Sequence, residues 1–190
     1  MLVSHESPIS ILKESRDYNN YDYALVHLFE THPEYYNFFK DSIKMGRQVL
    51  LDNSIFELGK SFDPKKFAKY VKELKPNFYI VPDVLEDGYK TIKSFHDFVN
   101  KHTDLPGIKI GVVQGKTYDE LVDCYKYMSD NADYIAISFD YSYYLVTGTG
   151  KTKLQRYASG RYKFINDLKR DGIWNDFKPH HLLGCSLAKE

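Results

Sequence analysis

Polar side chains follow several of the predicted strands, and together they could bind a flat, nitrogen-containing ring. They are Asp52-Asn53, Asp83, Gln114-Gly115 and the segment from Ser138 through Phe139 to Asp140. A carboxylate accepts hydrogen bonds from a ring N–H and an exocyclic amine, and a glutamine carboxamide offers both an acceptor and donors. Phe56, after the second predicted strand, and Leu183, in the sixth, could contact the two faces of such a ring.

Each of these residues also has a simple structural explanation. An aspartate after a strand often caps the next helix, and a glutamine such as Gln114 can fix a loop. Phe56 and Leu183 can be ordinary core residues. A binding site is favoured because these residues recur at successive strand ends, which is where parallel α/β folds place their binding side chains.

The elements that must position these residues alternate between short apolar strands and amphipathic helices. The predicted strands are Ala24–Phe29, Gln48–Leu51, Phe78–Val81, Ile108–Val113, Tyr134–Phe139 and His181–Leu183. Helices are predicted from Thr31 or His32 to Gly46, from Asp63 to Pro76, from Asp87 to Lys101, from Thr117 to Met128 and from Arg161 to Arg170. This alternation predicts an α/β fold with a parallel sheet covered on both faces.

Between a closed (β/α) barrel and an open doubly wound sheet, the sequence favours the barrel. No glycine-rich phosphate loop follows the first strand, and polar residues end most of the strands. A complete barrel of eight units takes about 250 residues, whereas this chain has 190. With about six units visible, we predict one TIM-barrel-like domain over residues 1–190 that is incomplete, truncated or closed by a partner chain.

The composition and charge of the chain indicate in which cellular compartment the protein acts and which classes of partner it attracts. Lys plus Arg and Asp plus Glu number 26 each, so no overall field attracts the chain to nucleic acid or membrane, although a local basic patch is allowed. No apolar run approaches the ~20 residues of a membrane span, and the N-terminus lacks the pattern of a signal peptide. We therefore expect an intracellular, cytoplasmic protein with no membrane partner.

The cysteines and histidines do not predict a metal site. Cys124 and Cys185 are too few and too far apart for a zinc cluster or a disulfide framework. His180 and His181 are adjacent in a predicted strand and point to opposite faces, so they are poorly placed to share a metal. His27, within the first predicted strand, is expected to be a buried and hydrogen-bonded histidine.

A long connection from Tyr141 to Gly160 interrupts the regular alternation, and it leads into basic and aromatic residues. The cations that could contact nucleic acid are Lys151, Lys153, Arg156 and Arg161. Aromatic rings between such cations suit an unstacked strand, through stacking and phosphate contact. A mobile surface loop with solvated side chains is the alternative. The Gly148-Thr149-Gly150-Lys151-Thr152 run lacks the glycine spacing of a phosphate loop.

Several of these segments resemble the tRNA-guanine transglycosylase superfamily, and most closely its phage and bacterial branch that places 7-deazaguanines in DNA. The segments are Leu-Asp-Asn-Ser-Ile-Phe at 51–56, Val-Pro-Asp-Val at 81–84, Gly-Val-Val-Gln-Gly-Lys-Thr-Tyr at 111–118 and His-Leu-Leu-Gly-Cys-Ser at 181–186. They occur in the family's order over residues 45–186. The resemblance implies a (β/α)8 barrel that exchanges a base in a nucleic acid through a covalent glycosyl-enzyme intermediate.

The resemblance also implies roles for single residues. Asp52 corresponds to the family's second active-site aspartate, which assists proton transfer. Asn53 corresponds to a serine that holds the base, and Phe56 to an aromatic ring that stacks on it. The other implied base contacts are Asp83 on the amino-pyrimidine edge, Gln114 with Gly115 on the carbonyl, Ser138 and Phe139 through their backbone, and Leu183 on the second face.

Two family features are missing from this chain. The nucleophilic aspartate and the zinc site both lie after the segment that resembles 181–186, and Asp140 lies on the wrong strand to replace the nucleophile. We therefore expect no cofactor in this chain. The expected function is exchange of guanine for a 7-deazaguanine in DNA or tRNA, in a bacterial cell or by a phage protein in its host. The alternative is a catalytically incomplete module that binds a base or nucleic acid and needs a partner or a missing C-terminal segment.

An unrelated sugar-phosphate or amidohydrolase-type barrel is a third hypothesis. It predicts a glycine-rich phosphate site or a cluster of His and Asp ligands, and the sequence contains neither pattern.

Overall fold

A computed structural model describes residues 2–139 and 141–184 of the protein. Short apolar strands and amphipathic helices alternate along this part of the chain, as the hydrophobic pattern predicts. The strands are β1 (Asp22–Leu25), β2 (Val49–Asp52), β3 (Phe78–Ile80), β4 (Ile108–Val113), β5 (Tyr134–Ile137) and β6 (His180–Leu182).

Helices of different lengths connect these strands. They are α1 (Leu12–Ser15), α2 (Leu28–Thr31), α3 (Pro33–Lys44), α4 (Ile55–Leu58), α5 (Pro64–Leu74), α6 (Gly88–Lys101), α7 (Tyr118–Asn131), α8 (Ser142–Thr147) and α9 (Lys153–Arg170). Two short 3₁₀ turns, Ile9–Ile11 and Arg16–Tyr18, flank α1. None of the helices in the described ranges is long and apolar enough to cross a membrane.

The chain forms two compact units. The first comprises Met1–Pro82 with Phe98–Lys109, and the second comprises Asp83–Asp97 with Ile110–Glu190. In the first unit β1 pairs with β2 and β2 with β3; in the second β4 pairs with β5 and β5 with β6, and every one of these pairs is parallel.

The strand arrangement confirms the predicted fold class. Among the described residues of each unit the strands lie in chain order, without the reversal of strand order that marks the switch point of a doubly wound sheet. The described residues therefore form an α/β fold of the TIM-barrel type with six strands, which is incomplete beside the eight of a full barrel.

Capping residues set several helix boundaries where the sequence predicts them. Pro33 occupies the first turn of α3, where its missing N–H costs nothing. The Asp63 side chain accepts the Lys66 N–H at 2.9 Å at the start of α5. Thr117 caps α7 in the same way through the N–H of Glu120, at 3.2 Å.

The first strand is shorter than predicted and lies earlier in the chain. The segment Ala24–Phe29 was expected to be one strand, but β1 ends at Leu25 and α2 begins at Leu28. Phe29 packs in this helix against aromatic rings, with its ring centre 4.9 Å from that of Tyr36. A short run that is apolar over most of its length has no periodicity that separates a strand from a buried helix, which explains the wrong boundary.

The predicted long connection is the main correction to the element boundaries. Tyr141–Gly160 contains the whole of α8 and the first part of α9, which begins at Lys153 and not at Arg161. A capping box starts α9, since the Thr152 side chain accepts the Gln155 N–H while Gln155 reaches back to the Thr152 backbone. Gly160 lets this helix approach α8, because a Cβ there would lie 2.2 Å from the Tyr144 carbonyl oxygen.

Candidate functional site

Asp52 is the last residue of β2 and is held by two donors of the first unit. The Tyr23 hydroxyl donates to its Oδ2, and the backbone N–H of Ser54 donates to its Oδ1 at 2.5 Å. Ser54 has a φ of 59°, a left-handed conformation that is uncommon for a residue other than glycine. This local turn fixes the direction of the Asp52 carboxylate at the end of its strand.

The other two predicted residues of this segment have different environments. The Asn53 amide donates to the Val81 carbonyl at 3.1 Å, and its oxygen accepts the Ile55 N–H at 3.0 Å. Asn53 is fully buried and fixes the backbone after β2. Phe56 lies on α4 and is 68% exposed, so it is not a core residue. Its ring is presented on the surface of the first unit.

Tyr23 and His27 were not predicted as site residues. Burial raises the pKa of the Tyr23 phenol well above its usual range, and the neighbouring Asp52 carboxylate raises it further. Tyr23 therefore remains a hydrogen-bond donor at any physiological pH.

His27 follows β1 and does not lie in it, and its Nδ1 is buried without a hydrogen-bond partner among the described residues. The expectation of a hydrogen-bonded histidine was wrong at that atom.

Asp83 and Gln114 meet in the second unit, after β3 and β4. The Gln114 Nε2 donates to the Asp83 Oδ2 at 2.6 Å, and the Gln114 Oε1 accepts the Glu86 backbone N–H at 2.8 Å. Asp83 is 3% exposed and Gln114 is 1% exposed. Since the two ends of the carboxamide have different partners, the orientation of the amide is fixed.

Two glutamates that the sequence did not single out support this pair. Glu86 has a φ of 53°, and its carboxylate accepts the N–H of Ser142. Glu120 accepts the N–H groups of Gly88 and Lys116 at 2.7 and 3.0 Å. These contacts join the turn after β3 to the loop after β4.

Gly115 is required where the chain turns from β4 toward α7. A Cβ at this position would lie 2.9 Å from the Leu121 nitrogen, which is closer than a real Cβ contact allows.

The nearby Cys124 is buried in α7, and burial raises the pKa of its thiol to about 12. It is a neutral core thiol and lacks the lowered pKa of a reactive cysteine.

Ser138 and Phe139 follow β5, which ends at Ile137 and not at Phe139 as predicted. The Phe139 side chain is buried, and the Arg161 guanidinium lies 4.9 Å from the centre of its ring. Leu183 lies one residue beyond β6; its N–H donates to the Ile137 carbonyl at 3.0 Å, and its carbonyl accepts the Arg161 Nη1 at 2.5 Å. Phe139, Arg161 and Leu183 thus form one contiguous group in the second unit.

Arg161 does not lie on the surface with the other predicted cations. It is 2% exposed on α9, and its guanidinium contacts the Phe139 ring and the Leu183 carbonyl. Lys151 and Lys153 are exposed and Arg156 is half-buried. The Lys153 ammonium lies 5.4 Å from the centre of the Tyr157 ring.

A separate cavity of about 700 Å³ lies in the second unit, between α7 and the segment before β6. Its lining includes Lys126, Trp174, Asn175 and Phe177, and none of the predicted site residues. Beside it the rings of Trp174 and His180 stack with centres 3.6 Å apart. The cavity is thus distinct from the predicted base site.

The described residues contain no cluster of three or more His, Cys, Asp or Glu that could hold a metal ion. Burial lowers the pKa of both His180 and His181 to about 4, and His180 Nε2 lies 2.9 Å from the Tyr125 hydroxyl. Asp140, Cys185 and Ser186 lie outside the described residues.

In the second unit, the buried Asp83 carboxylate and Gln114 carboxamide have fixed orientations, which suits them to hydrogen bonding with the polar edge of a ring.

Comparison of the chain with models of known protein families finds no match, and comparison with curated proteins finds none either.

Proposed function

We propose that this protein binds a guanine-type base, either guanine or a 7-deazaguanine, through Asp83 and Gln114. The hydrogen bond between these two side chains, at 2.6 Å in a buried position, carries the proposal. A guanine ring offers two neighbouring donors, N1–H and the 2-amino group, beside the carbonyl oxygen O6. A carboxylate next to a carboxamide N–H is the complementary set.

The environment of the pair supports this assignment. Buried polar groups are costly unless they are paired, so a buried aspartate and glutamine are retained where a function or a rigid network requires them. Glu86 fixes the carboxamide oxygen by its backbone N–H, which leaves the amino end of Gln114 directed toward Asp83. Hydrogen bonds that involve a charged group contribute about 1.5–3 kcal/mol each, which is enough to select guanine over adenine.

We further propose that the bound base takes part in base exchange in DNA or tRNA, which is the reaction that the resemblance implies. A carboxylate supplied by a partner chain or a further segment would attack C1′ and displace guanine, which takes up a proton at the ring nitrogen that it frees. The incoming base would then lose its ring N–H proton, attack C1′ of the glycosyl intermediate and release the carboxylate. The target nucleotide must leave its helix to be reached.

The alternative proposal claims less: the protein binds a base or nucleic acid without exchanging the base, and a partner or a further segment completes it. It is favoured by one observation, that Asp83 and Gln114 form their contact within a single compact unit. Both proposals share the base site and differ only in the covalent step.

Calorimetry with 7-deazaguanine tests the base site directly. We expect Asp83→Asn to weaken binding at least tenfold, because 1.4 kcal/mol corresponds to a factor of about ten. Asp97→Asn is the matched control, since Asp97 is an exposed carboxylate on α6 that pairs with Lys93. Equal affinity of the wild type and Asp83→Asn would reject the assignment. Release of labelled guanine from DNA or tRNA then separates exchange from binding alone.

A further inference from the structure

The Glu120 carboxylate contacts two different segments of the second unit. Its Oε2 accepts the Lys116 N–H at 3.0 Å, in the loop after β4, and its Oε1 accepts the Gly88 N–H at 2.7 Å, at the start of α6. Gly88 precedes Glu120 by 32 residues, so the second contact joins parts of the unit that are distant in sequence.

The contact with Lys116 has an ordinary structural explanation. Thr117 caps α7, and Glu120 is the third residue of that helix, which is the spacing of a capping box. In a capping box the glutamate accepts a backbone N–H at the start of its own helix. That explanation does not require the contact with Gly88, which lies on a different helix.

The contact with Gly88 holds together the two segments that fix the Gln114 carboxamide. Gly88 follows Glu86 by two residues, and the Glu86 N–H donates to the Gln114 Oε1 at 2.8 Å. The segments approach closely, since a Cβ at Gly88 would lie 2.7 Å from the Gln114 carbonyl oxygen. The half-buried Glu120 lies beside this approach, and its negative charge is favourable at the start of α6.

Asp83 is supported by a different contact. The hydroxyl of Thr91, which is 1% exposed, donates to the Val84 carbonyl and accepts the Val84 N–H, both at 3.0 Å. Thr91 thus fixes the backbone next to Asp83, whereas Glu120 fixes the backbone next to Gln114.

We infer that Glu120 is a positioning residue for the Gln114 carboxamide, through which it sets the preference of the site for a carbonyl at position 6 of the base. The inference rests on the proposed function, in which Asp83 and Gln114 bind a guanine-type base. The amide nitrogen of Gln114 carries two protons, so one can donate to Asp83 and the other to O6. If the Glu86 N–H moves away, the amide is free to rotate and to present its oxygen to O6 instead.

Glu120→Gln keeps the shape of the side chain but replaces one acceptor oxygen by an NH₂ group, so it cannot accept both N–H groups. The first readout needs no ligand: it is the ¹H–¹⁵N heteronuclear NOE of the Gln114 side-chain amide, which is high when the amide is rigid. We expect this NOE to fall in Glu120→Gln. It should keep its wild-type value in Thr152→Ala, which removes the capping contact of α9 in the same unit.

The second readout is the preference of the site among three bases, measured by calorimetry. 6-Thio-7-deazaguanine differs from 7-deazaguanine only at position 6, where sulfur is the weaker acceptor, and 7-deazahypoxanthine lacks only the 2-amino group. We expect the wild type to prefer the 6-oxo base about fivefold, as for one neutral hydrogen bond, and Glu120→Gln to bind the 6-oxo and 6-thio bases within about twofold of each other. The preference for the 2-amino group should remain in Glu120→Gln, because Asp83 supplies it.

A folded Glu120→Gln protein that keeps the wild-type NOE of Gln114, or the full preference at position 6, overturns the inference. Loss of both preferences together also overturns it, since this would show a general loosening of the unit. If the wild type binds none of the three bases, the proposed function fails, and the NOE still decides whether Glu120 positions Gln114.

If Glu120→Gln does not fold, Glu120→Asp takes its place. Aspartate keeps the negative charge near both helix starts but is one methylene too short to reach both N–H groups, so the same two changes are expected. In the wild type itself, the Gly88 N–H belongs to the first turn of α6, where no partner within the helix protects it. We expect it to be protected from hydrogen exchange by Glu120, and free exchange of this proton contradicts the inference whether or not the variants fold.

Discussion

The Gln114 carboxamide lies between Asp83 and the backbone of Glu86, with its nitrogen 2.6 Å from the Asp83 Oδ2 and its oxygen 2.8 Å from the Glu86 nitrogen. The two contacts require the same orientation of the amide. Rotation of the amide by half a turn would place its oxygen against the carboxylate and its NH₂ group against an N–H. The fold therefore fixes which side of the Gln114 amide is the donor and which is the acceptor.

This relationship predicts a pH-dependent loss of stability in Gln114→Glu. The variant places a second buried carboxylate against Asp83, and two carboxylates at this distance raise the pKa of one of them. A pKa that is higher in the folded state stabilises the fold at low pH and loses that contribution as the pH rises through it. We expect the variant to be less stable than the wild type by about 2 kcal/mol or more at about pH 7, and the difference to shrink toward about pH 5.

Urea unfolding at both pH values measures this effect. Gln48→Glu is the control, because Gln48 is an exposed residue immediately before β2. A constant difference between Gln114→Glu and the wild type across the pH range would contradict the close contact of residues 83 and 114.

The buried histidines predict that the protein loses stability in acid. The pKa of His181 is lowered to about 4 by burial, whereas an unfolded histidine titrates near about 6.5. The unfolded chain therefore binds a proton first as the pH falls, so stability is complete above about pH 6.5 and declines toward about pH 4.

His181→Gln should flatten this decline, and thermal unfolding across that pH range measures it. His96→Gln is the control, since the side chain of His96 is 61% exposed, and it should leave the profile unchanged. The same slope in His181→Gln and the wild type would show that His181 is not the group responsible.

Gly160→Ala should destabilise the protein although alanine is the better helix former. The added Cβ would meet the Tyr144 carbonyl oxygen at 2.2 Å, so α8 and α9 must move apart. We expect a loss of about 1–3 kcal/mol, the usual cost of overpacking. Asn166→Ala, on the same helix, should be neutral or slightly stabilising in the same denaturation experiment. A Gly160→Ala protein at least as stable as the wild type would contradict the close approach of the helices.

Lys75→Gly should stabilise the protein. Lys75 follows α5 with a φ of 55° and a ψ of 56°, a left-handed conformation that costs a non-glycine residue roughly 1 kcal/mol and suits glycine at a helix C-terminus. We expect a gain of about 0.5–1 kcal/mol in the free energy of unfolding. Lys69→Gly, within the same helix, should instead destabilise by about 1 kcal/mol, and a gain there would reject the conformational explanation.

The cations near the start of α9 predict a salt-dependent contact with single-stranded nucleic acid. Lys151→Glu with Lys153→Glu should weaken binding of an oligonucleotide and reduce the slope of log affinity against log salt by about 0.7 for each phosphate that the variant no longer neutralises. Lys90→Glu with Lys93→Glu reverses two charges at exposed positions of α6 and is the control for net charge. Equal slopes in fluorescence titrations of all three proteins would assign the binding of phosphate to other residues.

The sequence was informative where a local rule decides the structure. The caps at Asp63 and Thr117 and the apolar strands are local features, and they predict the α/β class and most of the helix starts. Local rules failed in two places. The run Ala24–Phe29 is apolar over most of its length, so its change from strand to helix left no periodic signal, and the capping box of Thr152 was hidden in a segment rich in glycine.

Site residues that act through long-range contacts were not visible in the sequence. The register of β1 against β2 brings the Tyr23 hydroxyl to Asp52. Glu86 contacts Gln114 through its backbone N–H, a group that every residue except proline has, so the residue type gave no signal. The sequence grouped Arg161 with the exposed cations, but it is buried. Its contacts with Phe139 and Leu183 are long-range and were not visible in the sequence. The run Asp-Tyr-Ala-Leu at 22–25 does not alternate between polar and apolar residues, so its pattern did not place Tyr23 on a strand.

The most direct test of the base site compares two ligands that differ only in the 2-amino group, 7-deazaguanine and 7-deazahypoxanthine, by calorimetry on the wild type and on Asp83→Asn. The proposal predicts that the wild type binds 7-deazaguanine at least tenfold more tightly, because the Asp83 carboxylate accepts from the amino group, and that Asp83→Asn loses most of this preference. Equal affinities in the wild type, or a preference that Asp83→Asn retains in full, would contradict it.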